Sequence, residues 1–172
     1  HYMKIGFEAF HDHIALARYA LPGLAGLLVY TALGTVATVV MQSSHATMVL
    51  ILTALAAGQI TYDNAIALAI GTNVGTTVTA IIGALGANHQ GRRLALAHLI
   101  FNLATAAVAL ALVAPLREAV DVVSARTGIG AEDYALKLAV FHTLFNLLGV
   151  ALMLPLTGGL VRLLERRIPE PV

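Results

Sequence analysis

From Tyr19 to Gly91 the chain carries a single Asp, Glu, Lys or Arg, which is Asp63. Further runs without these residues cover 94–116 and 138–161. A bilayer core takes about 20 residues of helix to cross, so each of the runs 19–62, 64–91, 94–116 and 138–161 is long enough for a span. A chain built this way must satisfy its backbone internally, because an unpaired amide in hydrocarbon costs several kcal/mol. The expected class is an all-α integral membrane protein. Composition agrees, with 59% hydrophobic and 11% charged residues, against about 25% charged in ordinary soluble domains.

Two polar clusters interrupt this apolar background, Gln42-Ser43-Ser44-His45-Ala46-Thr47 and Gly71-Thr72-Asn73-Val74-Gly75-Thr76-Thr77. Glycine and small hydroxyl residues weaken helices and expose backbone dipoles. At membrane depth, irregular polar backbone is tolerated where it is buried in protein or lines an aqueous cavity. The clusters therefore point to a small-ion site. An isolated serine in such a chain would more often serve close helix packing; two dense clusters favour binding.

The apolar stretch 47–57 is about half a bilayer long by the helix rise. Two full spans over 21–62, with Gln42-Ser43-Ser44 at a surface turn, compete with a re-entrant helical hairpin tipped by those residues; the short second arm favours the hairpin. Thr61 is expected to cap a helix whose first turn places Asp63 at the positive end of the macrodipole. That helix is expected to break at Gly71–Thr77 and resume at Val78, giving a discontinuous transmembrane helix of the kind transporters use for ion sites. Two further spans follow, Leu94–Leu116 and Leu138–Val161, the second interrupted late by Pro155 and Gly158-Gly159. Arg117–Lys137 between them reads as a polar connector. The division is an amphipathic segment over 1–20, one repeat over 21–167 and a tail over 168–172, with His1-Tyr2-Met3 read as a cloning scar on an excised piece of a longer protein.

His98-x-x-Phe101-Asn102-Leu103 and His142-x-x-Phe145-Asn146-Leu147 echo each other. The i,i+4 spacing puts His and Asn on one face of each helix, a supporting polar network directed at the broken segments. Arg92, Arg93, Arg162, Arg166 and Arg167 flank one side of the last two spans, and Arg117, Arg126 and Lys137 the other. The bias puts the C-terminus in the cytoplasm of an inner (plasma) membrane protein.

Other functions find little footing. A net charge of +1 without a basic stripe gives no signal for nucleic acid. The histidines lack the local spacing of a zinc site, so no resident metal and no cofactor is expected. Ser43 and Ser44 have no acidic partner nearby and no Gly-x-Ser-x-Gly elbow occurs, so the chain does not read as an enzyme. A membrane scaffold or assembly module whose polar clusters pack against a partner is the alternative.

At Gln42-Ser43-Ser44-His45 and Gly71-Thr72-Asn73-Val74-Gly75-Thr76-Thr77, and again at Phe141–Asn146, the chain resembles the type II sodium–phosphate cotransporter family, over nearly all of 24–161. That family carries a Gln-Ser-Ser-Ser and a Gly-Ala-Asn-Ile-Gly-Thr-Thr motif in each of two inverted repeats. The resemblance implies sodium-coupled uptake of inorganic phosphate, with contacts on Gln42, Ser43, Ser44, Asn73, Thr76 and Thr77, and on Thr47 and Gly75 of the same clusters. His45 and Thr72 depart from the motifs and are possible members. One half of an inverted-repeat transporter is implied, the second half by its outside-entering hairpin. Its expected partners are phosphate, sodium, lipid, and either the other repeat or a second copy in a homodimer.

Overall fold

The computed structural model describes residues 23–170, and within them every regular element is helical. The amphipathic helix expected over 1–20 lies outside the described residues. In chain order the helices are α1 (Gly23–Met41), α2 (Ser44–Ala56), α3 (Tyr62–Gly83), α4 (His89–Ala111), α5 (Val113–Thr127), α6 (Tyr134–Met153) and α7 (Thr157–Arg167). A 3-10 turn, Leu154–Leu156, joins the last two. Among the described residues four helical segments are long and apolar enough to cross a membrane: α1, α3, α4 and the stretch beginning with α6.

α3 is the central element. Asn64–Ala67 and Ala69–Thr72 are all buried, and α1, α2, α4 and α6 pack around it. Lipid gives apolar side chains no reason to leave it, so helices there associate through close packing and polar contacts. The α1–α3 seam uses both. α1 presents Gly26, Tyr30, Gly34 and Thr38 to the protein, a stripe spaced by four that lies on one helix face. Gly71 of α3 sits against the backbone of Thr31 and Thr35, and Gly75 against Thr35 and Thr38. Rising numbers on one helix thus meet rising numbers on the other, and α1 and α3 run in the same direction. α2 returns between these two steps of the chain and packs on α1, α3 and α6.

The break expected at Gly71–Thr77 is absent, because α3 is one uninterrupted helix of 22 residues. Its hydroxyls turn back on their own helix: Thr72 donates to the Ala69 carbonyl at 2.8 Å, Thr76 to Asn73 at 2.6 Å and Thr77 to Val74 at 2.7 Å. Such bonds satisfy a threonine without unwinding the backbone. The glycines, each costing roughly 1 kcal/mol of helix propensity, admit α1 to backbone contact instead. The polar connector expected over Arg117–Lys137 is also different, since its first half belongs to α5. Val120 and Ser124 form the buried face of that helix, and Pro115 falls in its first turn, where a missing N–H costs nothing.

The last span ends where Pro155 was expected to interrupt it, α6 giving way to the 3-10 turn after Met153. Phe141 and Phe145, fully buried, stack with ring centroids 6.2 Å apart. Gly149 faces Thr105 and Phe101 of α4. Polar contacts collect at the two ends of the bundle. At one end Asp63 pairs with Arg117, Lys137 donates to Asp121 at 2.8 Å, and the rings of Tyr62 and Tyr134 lie 5.2 Å apart. At the other, His89, Gln90 and Arg93 of α4 meet Glu170.

Candidate functional site

The first cluster does leave the helix. Gln42 adopts φ +52°, the left-handed region that side chains other than glycine seldom occupy. Ser43 then caps α2, its Oγ accepting from the Ala46 amide at 3.2 Å, as a serine at that position does. Thr47, buried one turn later, donates its hydroxyl to the Ser43 carbonyl at 2.9 Å. Gln42 and His45 are exposed, and Ser43 and Ser44 half-buried. The N-terminal turn of α2 is thus the positive end of a helix macrodipole, with no charged side chain among Gln42–Thr47.

α1 extends only three residues beyond Thr38, which faces Gly75. The tip at Gln42-Ser43 therefore falls about one turn beyond Gly75 along α3, just past the C-terminal end of the second cluster. α6 supplies a second link. Asn73 Nδ2 donates to Asn146 Oδ1 at 3.0 Å, and Asn146 Nδ2 donates to the His142 carbonyl at 2.7 Å. That arrangement leaves Asn73 Oδ1 as an acceptor.

The candidate residues fall into two groups. Gln42, Ser43, Ser44, His45, Asn73 and Thr76 are exposed or half-buried. Thr47, Thr72, Gly75 and Thr77 are buried, facing neighbouring helices. The expected network is realised on α6 more than on α4. Asn102 repeats the pattern of Asn146, donating to the His98 carbonyl at 3.1 Å. The His98 ring, however, is exposed and makes no hydrogen bond among the described residues.

Sequence reasoning missed the α1 threonines. Thr35 donates to its own Thr31 carbonyl at 2.9 Å and lies 3.2 Å from the Gly71 carbonyl. Thr31 and Thr38 carry buried hydroxyls with no hydrogen-bond partner among the described residues. Their i, i+4, i+7 spacing around Gly34 was the available signal.

An all-helical membrane protein, with four helical segments able to cross a bilayer among the described residues, is the class this architecture defines. A model of the Na+/Pi-cotransporter family matches residues 24–141, and the chain belongs to that family. A protein of Salmonella typhimurium strain LT2, named "Putative inorganic phosphate export protein YjbB", is 36% identical over 92 residues. The match covers 54% of this chain and 17% of that protein. No solved structure matches.

Proposed function

We propose that this chain is half of a secondary active transporter that carries inorganic phosphate coupled to sodium across the plasma membrane, by transport and not by catalysis. The family match carries the reading, together with two polar clusters on helices that pack against one another. In this reading α1 and α2 form a re-entrant hairpin, and its tip delivers the positive end of α2 to the anion. Backbone amides at Ser44 and His45, with the hydroxyl of Ser44 and the amide of Gln42, donate to phosphate. Asn73 Oδ1 and the oxygens of Thr76 and Gln42 serve sodium. No Lys or Arg lies between Tyr19 and Gly91, so the anion's charge falls to helix ends and co-bound cations. That is a physical reason for coupling.

The partner half is the other inverted repeat of a longer parent, or a second copy of this chain when it is isolated. Either covers Gln42, Ser43, Asn73 and Thr76, which would otherwise meet hydrocarbon at several kcal/mol per unsatisfied group. The C-terminus faces the cytoplasm, by the arginine bias. Light scattering should find a homodimer in detergent; a monomer, with these residues open to labelling, would count against the second-copy form.

The central test is radiolabelled phosphate uptake by the full-length parent with and without a sodium gradient. Uptake that follows the gradient is expected, and sodium-independent uptake overturns the coupling. The internally bonded, buried hydroxyls of Thr47, Thr72 and Thr77 favour the scaffold reading for those three residues alone. Melting in detergent separates the two readings, since a ligand at a hundred times its Kd stabilises a folded protein by about 2.7 kcal/mol. A melting point indifferent to sodium and phosphate, in a parent that responds to them, would make this chain a structural half without a complete site.

A further inference from the structure

α7 follows the Pro155 turn at the end of the last span, and its sides differ sharply. Leu164 is buried, and Leu160 and Ile168 are half-buried, one turn to either side. Ile168 is held by Arg93, whose Nε donates to its carbonyl at 2.9 Å. Glu170 is engaged by α4, accepting from Gln90 Nε2 at 3.0 Å and lying 3.8 Å from Arg93. Arg162, Arg166 and Arg167 are exposed and make no ion pair or side-chain hydrogen bond among the described residues. Glu165 is the one acid on α7. Beside these arginines stand four exposed aliphatic side chains, Leu154, Leu156, Val161 and Leu163.

We propose that α7 is a docking element for anionic phospholipid, lying along the membrane surface with Arg162, Arg166 and Arg167 on headgroup phosphates and Leu163, which lies between Arg166 and Arg167 round the helix, in the acyl boundary. Water alone would leave Leu163 exposed, and hydrocarbon alone would strand three guanidinium groups. The boundary between headgroups and acyl chains accommodates both. The position agrees, because only the three-residue turn Leu154–Leu156 separates α7 from α6. The three arginines spread about 140° round the helix at 100° per residue, which suits a plane of phosphates better than one small anion. Each basic group near an anionic surface contributes a factor of about five to binding.

The test is backbone hydrogen exchange of residues 157–168 in the full chain, in nanodiscs of phosphatidylcholine and of phosphatidylcholine mixed with phosphatidylglycerol. Anionic lipid should slow exchange across α7 by about fivefold per arginine engaged, and high salt should reverse the effect. The combined Arg162→Gln, Arg166→Gln and Arg167→Gln variant should lose it while α3 and α6 exchange as in the wild type. Equal exchange in the two membranes, or slowing that survives in the variant, overturns the proposal. So does inorganic phosphate in phosphatidylcholine discs reproducing the slowing, which would mark a free-anion site. Protection in both membranes that tracks dimer formation would make a second copy the occupant. Should the variant fail to fold, the wild-type comparison across lipid and salt decides alone.

Discussion

At Gln42–Thr47 and at Gly71–Thr77 the chain holds nearly the same kinds of residue, small hydroxyls with an amide, and treats them in opposite ways. In the first cluster a single residue with positive φ stops α1 and the next serine starts α2. In the second, helix continues through every position. The difference lies in the neighbours. Gly71 and Gly75 have α1 against them, close enough that an added Cβ would meet its backbone, and the packing gained there outweighs their poor propensity. Gln42 and Ser43 have an unoccupied helix start beside them, and the capping bond to Ala46 holds the turn. Composition identifies where polarity sits in a membrane chain; tertiary contact decides whether the backbone breaks there.

The largest effect should come from forcing a side chain into the α1–α3 seam. A Cβ at Gly71 would fall onto the Thr31 carbonyl, with the Thr35 amide nitrogen 2.8 Å away. Backbone cannot rotate aside as a side chain can, so Gly71→Leu should cost at least the roughly 1–3 kcal/mol of ordinary overpacking. Gly83→Ala is the matching control, since a Cβ there meets nothing within 4 Å. Thermal unfolding in detergent checks the pair. Equal melting points would mean that α1 does not rest on the glycines of α3.

Ser43→Ala should come next, with a loss of about 1 kcal/mol, the usual worth of a helix N-cap. The same melting assay reads it, and Ser43→Asp, which can also cap, should recover most of the loss. If Ser43→Ala is neutral, the α2 start is held by the packing of Thr47 and not by its cap.

A smaller effect is expected where α3 meets α6. Interhelical hydrogen bonds in membranes average about 0.6 kcal/mol and reach about 1.7. Asn73→Ala and Asn146→Ala should each cost an amount in that range, and the double variant should cost less than their sum, because they share one bond. Strict additivity would mean that the two amides act separately.

The spans were legible because runs without charge are long and their boundaries are marked by Asp63, Arg92, Arg117 and Lys137. The cap at Thr61 was legible too, and its Oγ accepts from the Asn64 amide at 3.2 Å. The continuity of α3 was not, because a stretch such as Gly71–Thr77 has two physical uses and the sequence alone does not place α1 beside it. α5 was hidden by its charges, which lie on the outward side of a helix that buries only Val120 and Ser124. The Asn73–Asn146 bond joins residues 73 apart in sequence; the His-x-x-Phe-Asn echo pointed to the asparagine without naming its partner. Thr35 and Thr38 escaped notice because single threonines in an apolar run look like packing.

The smallest effect on stability separates shape from chemistry at the first cluster. Gln42 holds a left-handed conformation that costs a residue with a Cβ about 1–2 kcal/mol. Glycine adopts it freely but gives up about 0.5–1 kcal/mol of chain entropy on folding. Gln42→Gly should therefore leave the melting temperature unchanged or raise it slightly. If the glutamine is kept only to shape the turn, phosphate uptake by the full-length parent should also be unchanged. If the amide contacts phosphate or sodium, uptake should fall although the fold is intact, and Gln42→Asn, which keeps an amide and tolerates the conformation, should restore part of it. Full uptake in Gln42→Gly would remove this side chain from the proposed site and leave the α2 helix start as the tip's contribution.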